Sequence, residues 1–205
     1  MTIEPSDKPP ADCYSVADRK LMVWGQEVRR KMLGPLLWVM MKCHITADIL
    51  TLASLAAGLA FCPVYFFCRP VALGLLALHV CLDGLDGPLA RYSGTASRKG
   101  SFTDTMTDQV VVTASTITLI AGGVIWVVPG ACYIFIYTVV VAFSMIRNAL
   151  EIPYAWLVRP RFFVYAWFPI ELYVLPGSID YVLWTFTGLL TAKMITGFIK
   201  IRRRL

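Results

Sequence analysis

Long apolar runs separated by short polar ones dominate the pattern of this chain. Six runs are near the roughly 20 residues that one membrane crossing needs. They cover 45–67, 71–92, 101–126, 130–152, 161–177 and 180–200. The fifth is the weakest, short and interrupted by Pro169 and Glu171. Gly122-Gly123, Pro129-Gly130 and Pro176-Gly177 mark turns or helix ends. Ahead of the first run, Val16, Leu21, Trp24, Val28 and Met32 recur at helical spacing among Arg19, Lys20, Arg29, Arg30 and Lys31. Over 14–33 this pattern predicts an amphipathic helix lying in the membrane interface, its basic face towards lipid head groups. A solvated helix packed on its own protein is the alternative, and the two are compatible. Residues 1–13 read as a disordered tail and 201–205 as a basic tail. The predicted fold is therefore all-α and polytopic, with six transmembrane helices over 45–200 behind an N-terminal interfacial helix.

Composition supports this class. Of 205 residues, 58% are hydrophobic and only 16% charged, where a soluble domain carries roughly 25% charged residues. The mean hydropathy is +0.66. A soluble fold of this length cannot hide so much apolar surface, which excludes most soluble enzymes, a disordered tail and a secreted disulfide scaffold. The net charge is +6, but in a membrane protein the placement of basic residues matters more than their sum. Lys and Arg gather at 19–31, 91–99, 159–161 and 200–204. An even number of crossings puts these segments on one side and leaves Arg69 alone on the other, so both termini are expected on the cytoplasmic face of a cytoplasmic membrane. Arg159 and Arg161 read as topology charges on this view, with binding of an acceptor or lipid phosphate as the alternative. No basic patch with interleaved aromatics lies outside the apolar runs, which argues against a nucleic-acid partner. The six cysteines show no metal-ligand spacing. Cys62 and Cys68 fall near one outer helix end, but small buried apolar side chains are the simpler reading than a disulfide. The first dozen residues lack the apolar core of a cleavable signal peptide.

The chemistry concentrates in 83–108, which reads DGLDGPLARYSGTASRKGSFTDTMTD. Asp83, Asp86, Gly87, Ala90 and Arg91 share one face of one helix; Gly100, Asp104 and Asp108 share one face of the next. Each Asp costs roughly 2.5–3.5 kcal/mol at the centre of a membrane helix and less near its end. Pairing the two faces brings the carboxylates into one small volume, where they cannot all stay ionised without a cation among them. Hard divalent ions, Mg2+ or Mn2+, suit an all-oxygen group that no His or Cys joins. Two such ions would suit phosphoryl chemistry. Gly84, Gly87, Ala90 and Gly100 allow a bulky ligand close to the backbone. Arg91 offers a bidentate donor to a phosphate. The plainer alternative is a salt-bridged helix pair neutralised by Arg91, Arg98 and Lys99, which explains neither the spacing nor the glycines.

The segment resembles the signature of the CDP-alcohol phosphotransferase family, D-x2-D-G-x2-A-R-x8-G-x3-D-x3-D, at every fixed position: Asp83, Asp86, Gly87, Ala90, Arg91, Gly100, Asp104 and Asp108. The interfacial helix and six-helix plan are similar too. The resemblance implies transfer of a phosphate-linked group from a CDP-activated donor to an alcohol, with CMP leaving. It implies that Asp83, Asp86 and Asp104 bind two metal ions and that Asp108 contacts the second ion and serves as general base. It implies that Gly87, Arg91 and Ser97 hold the CDP moiety, and that the protein is a homodimer. Members open the first transmembrane helix with Pro-Asn-x-x-Thr, a run that contributes to the CDP-donor site; here Ala47, Asp48 and Thr51 occupy those places, which implies a donor contact for Thr51. Thr51 matches, whereas Asp48 departs and is either a nucleotide contact or a helix cap. Gln109 departs as well, where many members carry a basic residue.

The acceptor is less constrained. Arg147 and Lys193 are ionisable residues inside apolar runs, which usually face a cavity or a partner. They either bind the phosphate of an acceptor alcohol, or pair with Glu151 and snorkel to the interface. The function expected is transfer of a phosphatidyl group from CDP-diacylglycerol to a small polar, optionally phosphorylated, alcohol. Transfer from CDP-choline or CDP-ethanolamine to diacylglycerol, and an idle membrane scaffold of the same fold, are the alternatives. A transporter fits poorly, because the acids cluster at one end of the helices rather than lining a path.

Overall fold

A computed structural model of the chain describes residues 33–155, 157 and 159–204. The tail at 1–13 and nearly all of the interfacial helix predicted at 14–33 lie outside the described residues. The first described element is a short helix, α1 (Leu33–Lys42), in a stretch the hydropathy pattern left between two predicted segments. Leu37 of α1 is buried against Leu50 and Leu89, so the helix lies across the ends of the next two. Leu33 and Met40 pack partly against the same cluster, whereas Leu36, Trp38, Val39 and Met41 are exposed.

Six further helices follow in the predicted order: α2 (Ala47–Phe67), α3 (Arg69–Tyr92), α4 (Arg98–Ala121), α5 (Val127–Ala149), α6 (Pro160–Tyr173) and α7 (Ile179–Arg202). No strand occurs among the described residues. Their limits follow local chemistry. Thr46 caps α2 by accepting from the Ile49 N–H at 3.3 Å, so the capping role considered for Asp48 belongs to Thr46. The chain leaves α2 through extended Cys68, and Pro70 opens α3, where its missing N–H costs nothing. Ser97 caps α4, so that helix begins at Arg98, three residues earlier than hydropathy predicts. α6 is shorter than its predicted run because it stops at Tyr173, ahead of Pro176-Gly177.

By length and composition α2, α3, α5 and α7 can each cross a membrane. α4 is equally long, with 24 residues, but carries the motif charges in its first turns. α6 has 14 residues and rises about 21 Å, less than the roughly 30 Å of a hydrocarbon core. α2 packs on α3 and α4, α5 packs on α7, and α7 also contacts α6; α4–α5 and α3–α6 contacts join the two halves. Gly58 of α2 faces Val111 of α4 so closely that a Cβ there would lie 2.6 Å from a valine methyl. The core between the halves contains Phe61, Val111, Tyr133, Phe168 and Leu183. The outside is also apolar, with Phe67, Trp126, Val127 and Tyr181 exposed, as a lipid-facing surface requires. All five described cysteines, Cys62 and Cys68 among them, are free thiols.

Candidate active site

The end of α3 and the start of α4 bring the aspartates together. Asp83, Asp104 and Asp108 each offer a carboxylate oxygen, and the three oxygens lie within 4.8 Å of one another. Asp86 is buried beside them. Its Oδ2 accepts from the Thr51 hydroxyl at 2.7 Å and its Oδ1 from the Gly87 N–H at 2.5 Å. Thr51 also lies 3.1 Å from the Ala47 carbonyl. It has a single proton, and the shorter, charged partner is the better acceptor.

A fifth residue completes the cluster from α6. Arg161 donates from Nη2 to Asp83 Oδ2 at 3.0 Å and pairs through Nη1 with Asp108 Oδ2. The side chains are 6%, 10% and 13% exposed for Arg161, Asp83 and Asp108, so this is a buried pairing. Arg161 therefore has a buried role that the topology reading did not anticipate: it pairs with the acids from the first turn of α6. It went unrecognised because nothing local in the sequence ties it to residues in α3 and α4. One signal was available, since it is the first residue of an apolar run.

The donor set suits a hard divalent ion. Every candidate ligand is a carboxylate oxygen, and about 4.2 Å separates opposite ligands around Mg2+ at about 2.1 Å bond lengths. Asp108 Oδ1 is buried with no hydrogen-bond partner. A carboxylate oxygen in that state is expensive, and a cation beside it would relieve the cost.

The residues expected to hold the CDP moiety are placed by local contacts. A Cβ on Gly87 would lie 3.3 Å from Arg91 Nη1, so the glycine leaves room for the arginine to fold back along α3. Arg91 is exposed at the helix end. Ser97 Oγ accepts from the Gly100 N–H at 3.0 Å, which makes it the α4 cap. Asp48 is exposed in the first turn of α2. Gln109 reaches across to α5, donating to Thr138 Oγ1 at 2.6 Å.

The Arg147 side chain and the Lys193 backbone meet around a different residue, Tyr154. The Arg147 side chain donates to the carbonyls of Ile152 at 2.8 Å and Pro153 at 3.0 Å, and its guanidinium lies 3.8 Å from the centre of the Tyr154 ring. The Tyr154 hydroxyl donates to the Lys193 carbonyl at 2.9 Å. Burial pushes that phenol above its usual range, against the opposing pull of Arg147, so it stays a neutral donor. Gly197 forms the notch that admits this hydroxyl; a Cβ there would collide with it. Arg147 thus fixes the segment between α5 and α6, with Glu151 in the left-handed region at φ 61°. The sequence reading passed over one more polar pair: Ser54 Oγ lies 2.7 Å from Nδ1 of the fully buried His79, one turn before Asp83.

Comparison with known proteins agrees with this geometry. Residues 44–198 match the CDP-alcohol phosphatidyltransferase family. The archaetidylinositol phosphate synthase of Aeropyrum pernix is 41% identical over 78 residues. That stretch is 38% of this chain and 40% of the relative, so the chain spans well under half of that protein's length. No solved structure matches the chain.

Proposed function

The chain belongs to the CDP-alcohol phosphatidyltransferase family, and on that premise we propose that it transfers a lipid phosphatidyl group from a CDP-diacylglycerol-type donor to a small polar alcohol and releases CMP. The observation that carries the reading is the convergence of Asp83, Asp104 and Asp108 beside Asp86, with Asp108 Oδ1 left without a partner. In this reading Asp83, Asp86, Asp104 and Asp108 hold two Mg2+ or Mn2+ ions. When bound, such ions neutralise the donor pyrophosphate and stabilise the charge that develops on it.

The remaining work falls to the chain itself. Asp108 accepts the proton of the acceptor hydroxyl. The hydroxyl oxygen forms a bond to the phosphorus on the lipid side of the pyrophosphate. The bond from that phosphorus to the bridging oxygen breaks, and CMP leaves with the electron pair. Thr51 fixes the orientation of Asp86. Arg91, over the backbone opening at Gly87, grips the CDP phosphates, while Ser97 and Asp48 border the nucleotide. Arg147 and Lys193 frame the acceptor end through Tyr154. The small-residue face lets the head group approach α3 while the acyl chains stay in the bilayer. The protein works as a homodimer in the cytoplasmic membrane, with the site and both termini on the cytoplasmic side, and its catalytic unit is 45–200.

A phosphorylated polyol is the first acceptor to try, because the Aeropyrum pernix relative is named for an inositol phosphate lipid. The test is CMP release by purified protein with Mg2+, CDP-diacylglycerol and, in turn, inositol phosphate, glycerol phosphate, inositol, serine and choline. Release with one acceptor, abolished in Asp108→Asn, is the expected result. Release only when CDP-choline meets diacylglycerol would reverse the roles of donor and acceptor. No release in either format would sink the reading as an active transferase.

A further inference from the structure

Arg161 occupies a position where the proposed chemistry calls for a metal ion. Its two guanidinium nitrogens take one oxygen each from Asp83 and Asp108, two of the three residues whose oxygens converge. The group is buried, and the Phe162 ring lies 4.5 Å from the guanidinium carbon. Arg161 is presented by α6, whereas the acids come from α3 and α4, so the pairing also joins the two halves of the bundle.

We infer that Arg161 is the built-in counter-cation of the carboxylate cluster, competing with divalent metal for Asp83 and Asp108. The inference rests on the divalent-metal reading above. Without a divalent ion, the clustered aspartates repel one another, and the guanidinium offsets part of that repulsion. A divalent ion entering at the open Oδ1 of Asp108 meets a positive charge already bound to the other oxygen. Two cations on one carboxylate repel strongly where water is excluded. Metal entry therefore loosens Arg161 from Asp83 and Asp108. The same exchange loosens the tie between α6 and the α3–α4 pair. The arginine lowers metal affinity and keeps the empty site folded.

Mn2+ binding to purified protein in detergent, read as loss of the free-ion resonance signal, tests this together with melting in EDTA. Wild type, Arg161→Gln and Arg161→Lys are compared. Arg161→Gln should bind Mn2+ about tenfold tighter than wild type. It should also melt lower in EDTA, with the deficit removed by saturating Mn2+. Arg161→Lys, with a single-centred charge in place of the two-nitrogen bridge, should fall between them. Equal or weaker Mn2+ binding by Arg161→Gln overturns the inference and leaves the metal reading standing. If Arg161→Gln fails to fold, Arg161→Lys decides: affinity above wild type supports competition, and affinity at or below it refutes competition. Absence of saturable Mn2+ binding by wild type removes the metal reading and this inference together.

Discussion

α6 carries a buried charge near each end, and the two are held in opposite ways. Arg161 in its first turn and Glu171 in its last are about 15 Å apart along the helix. Both Glu171 oxygens are satisfied locally. Oε1 accepts from the Gly177 N–H at 2.5 Å; Oε2 accepts from the Ile179 N–H at 2.7 Å and the Ser178 hydroxyl at 3.1 Å. Trp167 Nε1 closes the network by donating to Ser178 Oγ at 2.8 Å. All these residues belong to one turn and its flanking helices, and the carboxylate faces the N-terminus of α7, where negative charge is favoured. At the other end, Arg161 draws its partners from α3 and α4, and Asp108 keeps an oxygen unpaired. A buried carboxylate whose donors are complete is explained by folding. One left incomplete among like charges calls for a ligand.

Neutralising one carboxylate at each end should separate these roles. Asp108→Asn should lower turnover by about 10²–10⁴-fold, because the amide cannot take a proton from the acceptor. Its melting temperature in EDTA should fall less than that of Glu171→Ala, because removing one of the clustered negative charges offsets part of the lost Arg161 pairing. Glu171→Ala should do the reverse, costing about 3 kcal/mol of stability by stripping the donors of the α7 turn of their acceptor. Its turnover per folded molecule, measured well below the transition, should stay near wild type. A large activity loss in folded Glu171→Ala would erase the distinction between the two ends.

A third position tests whether the Arg147 and Tyr154 clamp belongs with the structural end. Gly197→Ala places a methyl against the Tyr154 hydroxyl and 3.2 Å from the Phe143 ring. Two rigid aromatic neighbours leave little room for relief, so a loss of about 2 kcal/mol is expected in thermal unfolding. An unchanged melting temperature would mean that the clamp opens readily, and Arg147 would then be a better candidate for an acceptor contact.

The four aspartates are legible in the sequence because α-helical spacing puts each pair on one face, and a short turn makes the two faces neighbours. The six helices after α1 are legible for a similar reason, since each coincides with one predicted run, although only α2, α3, α5 and α7 are long and apolar enough to cross a membrane. Arg161 is not, because its partnership depends on how α6 docks against α3 and α4, and nothing local encodes that. His79 escaped notice because a single histidine in an apolar run gives no sign of the serine one helix away. Asp48 shows the opposite error: an acid near a helix start looks like a cap, yet Thr46 stands one residue before Ala47, where the first free N–H groups can reach it. Local chemistry sets the ends of helices, whereas docking determines which charges meet.

The smallest predicted effect lies at Asp86, the aspartate whose two oxygens both have donors. By the contrast between the ends of α6, such a carboxylate resembles Glu171, although it sits within the motif. Thr51→Val removes the hydroxyl that orients Oδ2 while keeping the side-chain volume close. Losing one hydrogen bond to a charged group costs about 1.5 kcal/mol net. If Asp86 holds metal and Thr51 only aims it, that loss should appear as an about tenfold rise in the Mg2+ concentration needed for half-maximal activity. Turnover at saturating Mg2+ should change little, and Thr51→Ser, which keeps the hydroxyl, should restore the wild-type requirement. A lower melting temperature with an unchanged Mg2+ requirement would instead place Asp86 with Glu171, as an acid satisfied by folding. The ligand set would then contract to Asp83, Asp104 and Asp108, the three residues whose oxygens already converge.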